Sequence, residues 1–119
     1  MKRRTYLDYV NDILLAISDI EDFTKGMDFS SFSKDKKTIN AVIRSLEVMG
    51  EAAKKIPKEI RDKYSEIPFK SMAGIRDKLI HEYHGIDLDI IWNVIKLEIP
   101  HLKPKLEKLL EEMQDEEGI

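Results

Sequence analysis

Cysteine is absent from this chain of 119 residues, which excludes disulfides, thiolate metal ligands and cysteine nucleophiles. No window approaches the roughly 18 consecutive apolar residues that a membrane-spanning helix needs. The start, Met1-Lys2-Arg3-Arg4, carries the charge of an export signal, but Asp8 and Asp12 interrupt the apolar run that such a signal requires. A soluble, cytoplasmic protein without membrane association is expected. Glycine is sparse, with five residues, and no glycine-framed nucleophile or phosphate-cradling loop can be found. Internal repeats are missing, as is any alternating strand pattern or two-residue hairpin signal.

What is present is an apolar and charged mixture, 42% hydrophobic and 36% charged, which marks a globular chain and not a disordered one. The length suits one domain over residues 1–119 and is too short for two independent cores. The net charge of -3 argues against a general nucleic-acid binder, yet its distribution is uneven. Residues 54–78 are locally +4, whereas residues 105–119 are locally -4. On charge alone both segments read as solvated helix faces, and the Glu-rich end, 111–119, is expected to fray.

Apolar spacing is helical throughout. Tyr6, Val10, Ile13, Leu14, Ile17 and Ile20 recur every three or four residues, predicting a first helix that stops near Gly26. Ser33 or Asp35 can cap a second, which carries Ile39, Val42, Ile43, Leu46, Met49 and Ala53 and runs to Pro57. Pro57 suits the first turn of a short third helix through Tyr64. Pro68 forces a boundary, and Ser71 offers a cap for a fourth helix with Met72, Ile75 and Leu79 on one face, ending around Gly85. Asp87 can cap a fifth, with Leu88, Ile91, Trp92 and Ile95. Its continuation through Leu102, Leu106, Leu109 and Met113 meets Pro100 and Pro104, where a kink or break is expected. The fold class that follows is all-α, an antiparallel bundle of four to five helices.

The fourth helix holds the chemistry. Arg76, His81 and Tyr83 stand within eight residues, offering a guanidinium, an imidazole and a phenol. At about 100° per residue, Arg76 and His81 point roughly 140° apart on a straight helix and share no face. Asp77 and His81 do share one, as do Arg76, Ile80 and Tyr83. Bringing Arg76 to His81 therefore needs an unwound last turn, the reach of the arginine, or a second copy of the helix across a two-fold axis, the most economical of the three.

This residue set suits metal-independent RNA cleavage, in which a ribose 2′-hydroxyl attacks the neighbouring phosphate. His81 can act as general acid or base near neutral pH. Arg76 can hold the phosphate oxygens through paired hydrogen bonds as charge builds up. Asp77, one turn before His81, can orient the imidazole or favour its protonated form. Each residue also has an ordinary explanation: Arg76 as a surface ion-pair partner, His81 as a helix-end histidine, Tyr83 as a core aromatic. A metal site would draw on His81 and His84 with Asp77 and Asp87, but the two histidines are three apart, one short of the zinc-protease spacing. No metal and no cofactor is assigned.

The order of several separated blocks resembles the HepT-like branch of the HEPN superfamily over most of the chain. These are Gly50-Glu51-Ala52-Ala53-Lys54-Lys55, Ile67-Pro68-Phe69, Gly74-Ile75-Arg76-Asp77 leading to His81-Glu82-Tyr83, and Ile86-Asp87 followed by Ile91-Trp92. The family signature is an arginine, four to six residues, a histidine, any residue and a tyrosine, which Arg76, His81 and Tyr83 match. The resemblance implies a homodimeric helical bundle whose signature helices meet at the interface. It also implies an RNA-cleaving toxin, with Arg76 and His81 catalytic, paired with an MntA-like nucleotidyltransferase antitoxin that transfers AMP to Tyr83. Added there, AMP would bring bulk and negative charge near Arg76.

Two positions depart from the pattern. Position 77, often asparagine in the family, is Asp77, a charge that repels phosphate unless it pairs with Arg76 or His81. Position 69, often tryptophan, is Phe69. A reading of a different class keeps the fold and drops the catalysis: a helical partner that binds nucleotide or substrate for a separate minimal nucleotidyltransferase. A zinc-dependent hydrolase is the third.

Overall fold

The computed structural model describes residues 5–81 and 87–116, with the side chains of Arg76, Leu79, Ile80, His81 and Glu116 outside that description. The described residues form α-helices α1 (Tyr6–Thr24), α2 (Phe29–Lys34), α3 (Lys36–Lys54), α4 (Lys58–Lys63), α5 (Phe69–His81), α6 (Leu88–Asn93) and α7 (Ile99–Glu116). A π-helical turn, Val94–Glu98, joins α6 to α7. The architecture is an all-α bundle, as the apolar spacing requires.

Helix α3 lies between α1 and α5, and α7 closes against α1. From α1, Val10, Ile13, Ile17 and Ile20 are fully enclosed. They meet Val42 and Leu46 of α3 and Leu106 and Leu109 of α7 in one apolar cluster. Each such side chain contributes about 1.5–3 kcal/mol through removal from water. Across the rim of α1 and α7, Lys103 Nζ lies 2.8 Å from Glu21 Oε1.

The caps follow local chemistry. At α1, the Thr5 amide donates to Asp8 Oδ2 at 2.9 Å. Asp35, one of the two expected caps, accepts from the Thr38 amide at 3.1 Å to start α3. Asp87 accepts from the Asp89 amide at 2.9 Å to start α6, as expected. Gly26, just past α1, has φ of 77°, a left-handed conformation that costs other residues roughly 1–2 kcal/mol.

Three features differ from expectation. Helix α2 has no expected counterpart. Asp28 and Ser31 cap it reciprocally, with amide bonds of 2.8 and 3.1 Å, and Phe32 buries itself 5.0 Å from the Trp92 ring. Ser71 caps nothing, because α5 begins two residues earlier: the Pro68 carbonyl accepts from the Met72 amide at 3.0 Å and buried Phe69 anchors the first turn. The expected interruption at Pro100 is replaced by the π turn just before it, where the Ile99 amide bonds to the Val94 carbonyl. That wider turn accommodates a residue with no amide donor whose ring crowds the carbonyl four positions back. Pro104 then sits inside α7 without ending it.

Candidate active site

The site region is built on α5, and α5 is held by its contact with α3. Gly50 makes that contact close. A Cβ at Gly50 would lie 3.0 Å from the Met72 carbonyl oxygen and 3.5 Å from Ile75 Cγ2. The two helix backbones therefore approach where α3 has no side chain, while Met49, Ala52 and Ala53 are buried around the crossing.

Arg76, Asp77 and His81 all stand on α5, His81 as the last of its described residues. The helix is regular through these positions, so within one chain the angular separation of roughly 140° between Arg76 and His81 stands. No unwound last turn brings them onto one face up to His81. Asp77 is exposed and lies one helical turn from His81, the spacing at which two side chains can meet. Tyr83, the residue assigned to modification, lies outside the described residues. So does the pairing of His81 with His84, on which a metal reading depends.

The basic segment expected beside the motif spans α4 and most of α5. Glu112 and Met113 of α7 lie against the end of the first of these: Tyr64 donates its hydroxyl to Glu112 Oε1 at 2.8 Å, and Lys63 Nζ lies 3.8 Å from Met113 Sδ.

Sequence reading missed a groove of about 610 Å³ between α5 and the rod formed by α6, the π turn and α7. Ser71, Gly74, Ile75 and Lys78 line its α5 side, and Glu98, His101 and Lys105 line the other. Lys105 Nζ is 3.2 Å from His101 Nε2. The i, i+4 spacing of His101 and Lys105 is visible in sequence, but which helix faces them is not.

The model of the family described as Ribonuclease HepT-like matches residues 13–109, a span that takes in α2 to α6 whole, with parts of α1 and α7. The chain belongs to the HepT-like ribonuclease family. A relative from Methanocaldococcus jannaschii named as a putative RNase is 49% identical over 115 residues, covering 97% of this chain and 99% of its own. A Thermococcus cleftensis relative named probable ribonuclease HepT is 50% identical over 107 residues, covering 90% of this chain and 97% of its own. A further M. jannaschii relative, 45% identical over 105 residues, is named as a gamma-glutamylcyclotransferase and putative RNase; the match covers 88% of this chain and 47% of that one. No solved structure matches the chain. Among the described residues, no helix of this HepT-like chain is long and apolar enough to cross a membrane.

Proposed function

We propose that this HepT-like protein is a metal-independent endoribonuclease that acts as the toxin of a toxin-antitoxin pair. The observation that carries the reading is the family match across the whole of α5, together with the Arg76, His81 and Tyr83 signature in the sequence. In the reaction, a ribose 2′-hydroxyl gives up its proton and attacks the adjacent phosphorus. The bond from phosphorus to the 5′-oxygen breaks, and that oxygen takes a proton. The products are a 2′,3′-cyclic phosphate and a 5′-hydroxyl. His81 exchanges the protons. Arg76 holds the non-bridging oxygens as negative charge accumulates on them.

The divergence of Arg76 and His81 on α5 supports a homodimer as the active form. Two copies of α5 about a two-fold axis supply both groups to one cleft. Regulation follows from Tyr83, two residues beyond His81. A cognate MntA-like nucleotidyltransferase transfers AMP to its phenolic oxygen, and the added phosphate competes with RNA for Arg76. The expected substrate is RNA, and no cofactor is required.

The test is cleavage of a labelled single-stranded RNA by the purified protein in the presence of a chelator, with analysis of product ends. Cyclic phosphate and 5′-hydroxyl ends support the reading. Loss of activity with chelator, restored by zinc, points instead to a metal-dependent hydrolase. Nucleotide binding without cleavage points to a non-catalytic partner of a nucleotidyltransferase.

A further inference from the structure

We infer that the groove between α5 and α7 is the seat of an RNA nucleotide flanking the scissile phosphate, with Lys78 and Lys105 as its phosphate contacts. The inference rests on the ribonuclease reading above and deepens it by assigning substrate-binding residues outside the family signature.

Position is the first argument. The groove's α5 wall runs through Ser71, Gly74 and Lys78. Seven residues separate Gly74 from His81, about two turns, so their backbone positions fall within roughly 20° of one another around the helix. The groove therefore runs along α5 toward the end that carries His81. Arg76 stands on a different flank of the helix, as expected if it serves the reacting phosphate from across a dimer.

Gly74 supplies the second argument. A glycine in a helix interior costs about 1 kcal/mol relative to alanine, and helix packing explains that cost at Gly50. It does not at Gly74, where an added Cβ would meet nothing within 4 Å. Gly74 is exposed and lines the groove. Its lack of a side chain keeps the groove open.

Chemistry supplies the third. Met72, Ile75, Val94, Ile99 and Leu102 give the groove an apolar wall, suited to the face of a base. Lys78 is exposed at one side and Lys105 half-buried at the other. An ammonium only donates, so at 3.2 Å His101 Nε2 is the acceptor from Lys105. Glu66 and Glu98 also line the groove. Their carboxylates disfavour a bare run of phosphates and can accept from the amino and imino groups of a base edge. The volume of about 610 Å³ falls in the range of small-molecule sites, roughly 300–1,000 Å³.

The full-length protein is tested with two readouts. Cleavage kinetics on a single-stranded RNA compare the wild type with Gly74→Leu and Lys105→Gln, with thermal melting as the check on folding. Both variants are expected to melt near the wild-type temperature and to raise KM about five- to tenfold with kcat little changed. Separately, amide shifts are followed while the same RNA, or 5′-AMP alone, is titrated into His81→Ala. RNA is expected to shift Ser71, Gly74 and His101, and Gly74→Leu in the same background to abolish those shifts. Wild-type KM in both folded variants overturns the inference. So do RNA titrations that leave the groove amides unmoved, or shifts produced by 5′-AMP and not by RNA. A wild type that cleaves no RNA but shifts these amides would instead overturn the catalytic reading and leave the groove assignment supported.

Discussion

A Cβ added to Gly50 would stand 3.0 Å from the Met72 carbonyl oxygen, so α3 and α5 meet backbone to backbone at the level where α5 begins its run toward Arg76 and His81. The neighbour at that distance is main chain and cannot rotate aside. Gly50→Ala gains about 1 kcal/mol of helix propensity, but overpacking costs typically 1–3 kcal/mol. The expected net effect is destabilisation by about 1 kcal/mol, read as a fall in Tm, with a loss of cleavage larger than the loss of folded protein because α5 is displaced. Gly74→Ala is the control and should be neutral or stabilising in the melt.

The proposed attachment of AMP to Tyr83 can be tested apart from catalysis. Tyr83→Phe removes the oxygen that would carry AMP and keeps the ring. Growth inhibition on expression should survive co-expression with the proposed MntA-like nucleotidyltransferase, and intact-mass measurement should show no AMP on the variant. Silencing of the variant by the partner would place the regulatory attachment elsewhere.

Asp77 puts an exposed carboxylate one turn before His81. If its charge faces the incoming phosphate, Asp77→Asn relieves a repulsion between solvated groups, which is of order 1 kcal/mol or less. KM for RNA should fall by up to about fivefold at low salt, with a smaller effect at high salt. If Asp77 instead orients His81, kcat falls and KM stays, and the two outcomes separate in one set of kinetics.

The start of α3 is pH-sensitive in a definite direction. The Thr38 amide, and then its side chain, hold the Asp35 carboxyl below its ordinary value of 3.8. A lowered folded-state pKa gives stability that is present above the unfolded value and is lost as pH falls through the folded one. Asp35→Ala should therefore lower Tm at about pH 7 and approach the wild type as pH falls through the lowered folded-state value. A gap between the two proteins that stays constant with pH would show that the cap acts without its charge.

Much of the fold was legible in sequence because single helices declare themselves through period. The faces Val10, Ile13, Ile17, Ile20 and Leu102, Leu106, Leu109, Met113 are buried as the spacing required, and Asp35 and Asp87 cap the helices assigned to them. What escaped was decided by contacts distant in sequence. Helix α2 is six residues long, too short to show a period, and is held by Phe32 against Trp92. Ser71 looked like a cap because hydroxyls favour that place, but burial of Phe69 set the boundary earlier. At Pro100 the chain widened into a π turn, an outcome that local propensity does not encode. The signature residues were legible as chemistry, and their angular divergence as a constraint. The groove beside them was not, since it exists only where α5 faces α7.

The most direct test of the central claim is RNA cleavage by Arg76→Ala, by His81→Ala and by a refolded mixture of the two, each in chelator. Each variant alone should lose activity by about a hundredfold or more. The mixture should regain part of it, because in the proposed dimer a mixed pair joins the intact arginine of one protomer to the intact histidine of its partner. Cleavage at the wild-type rate by either variant alone would contradict the account.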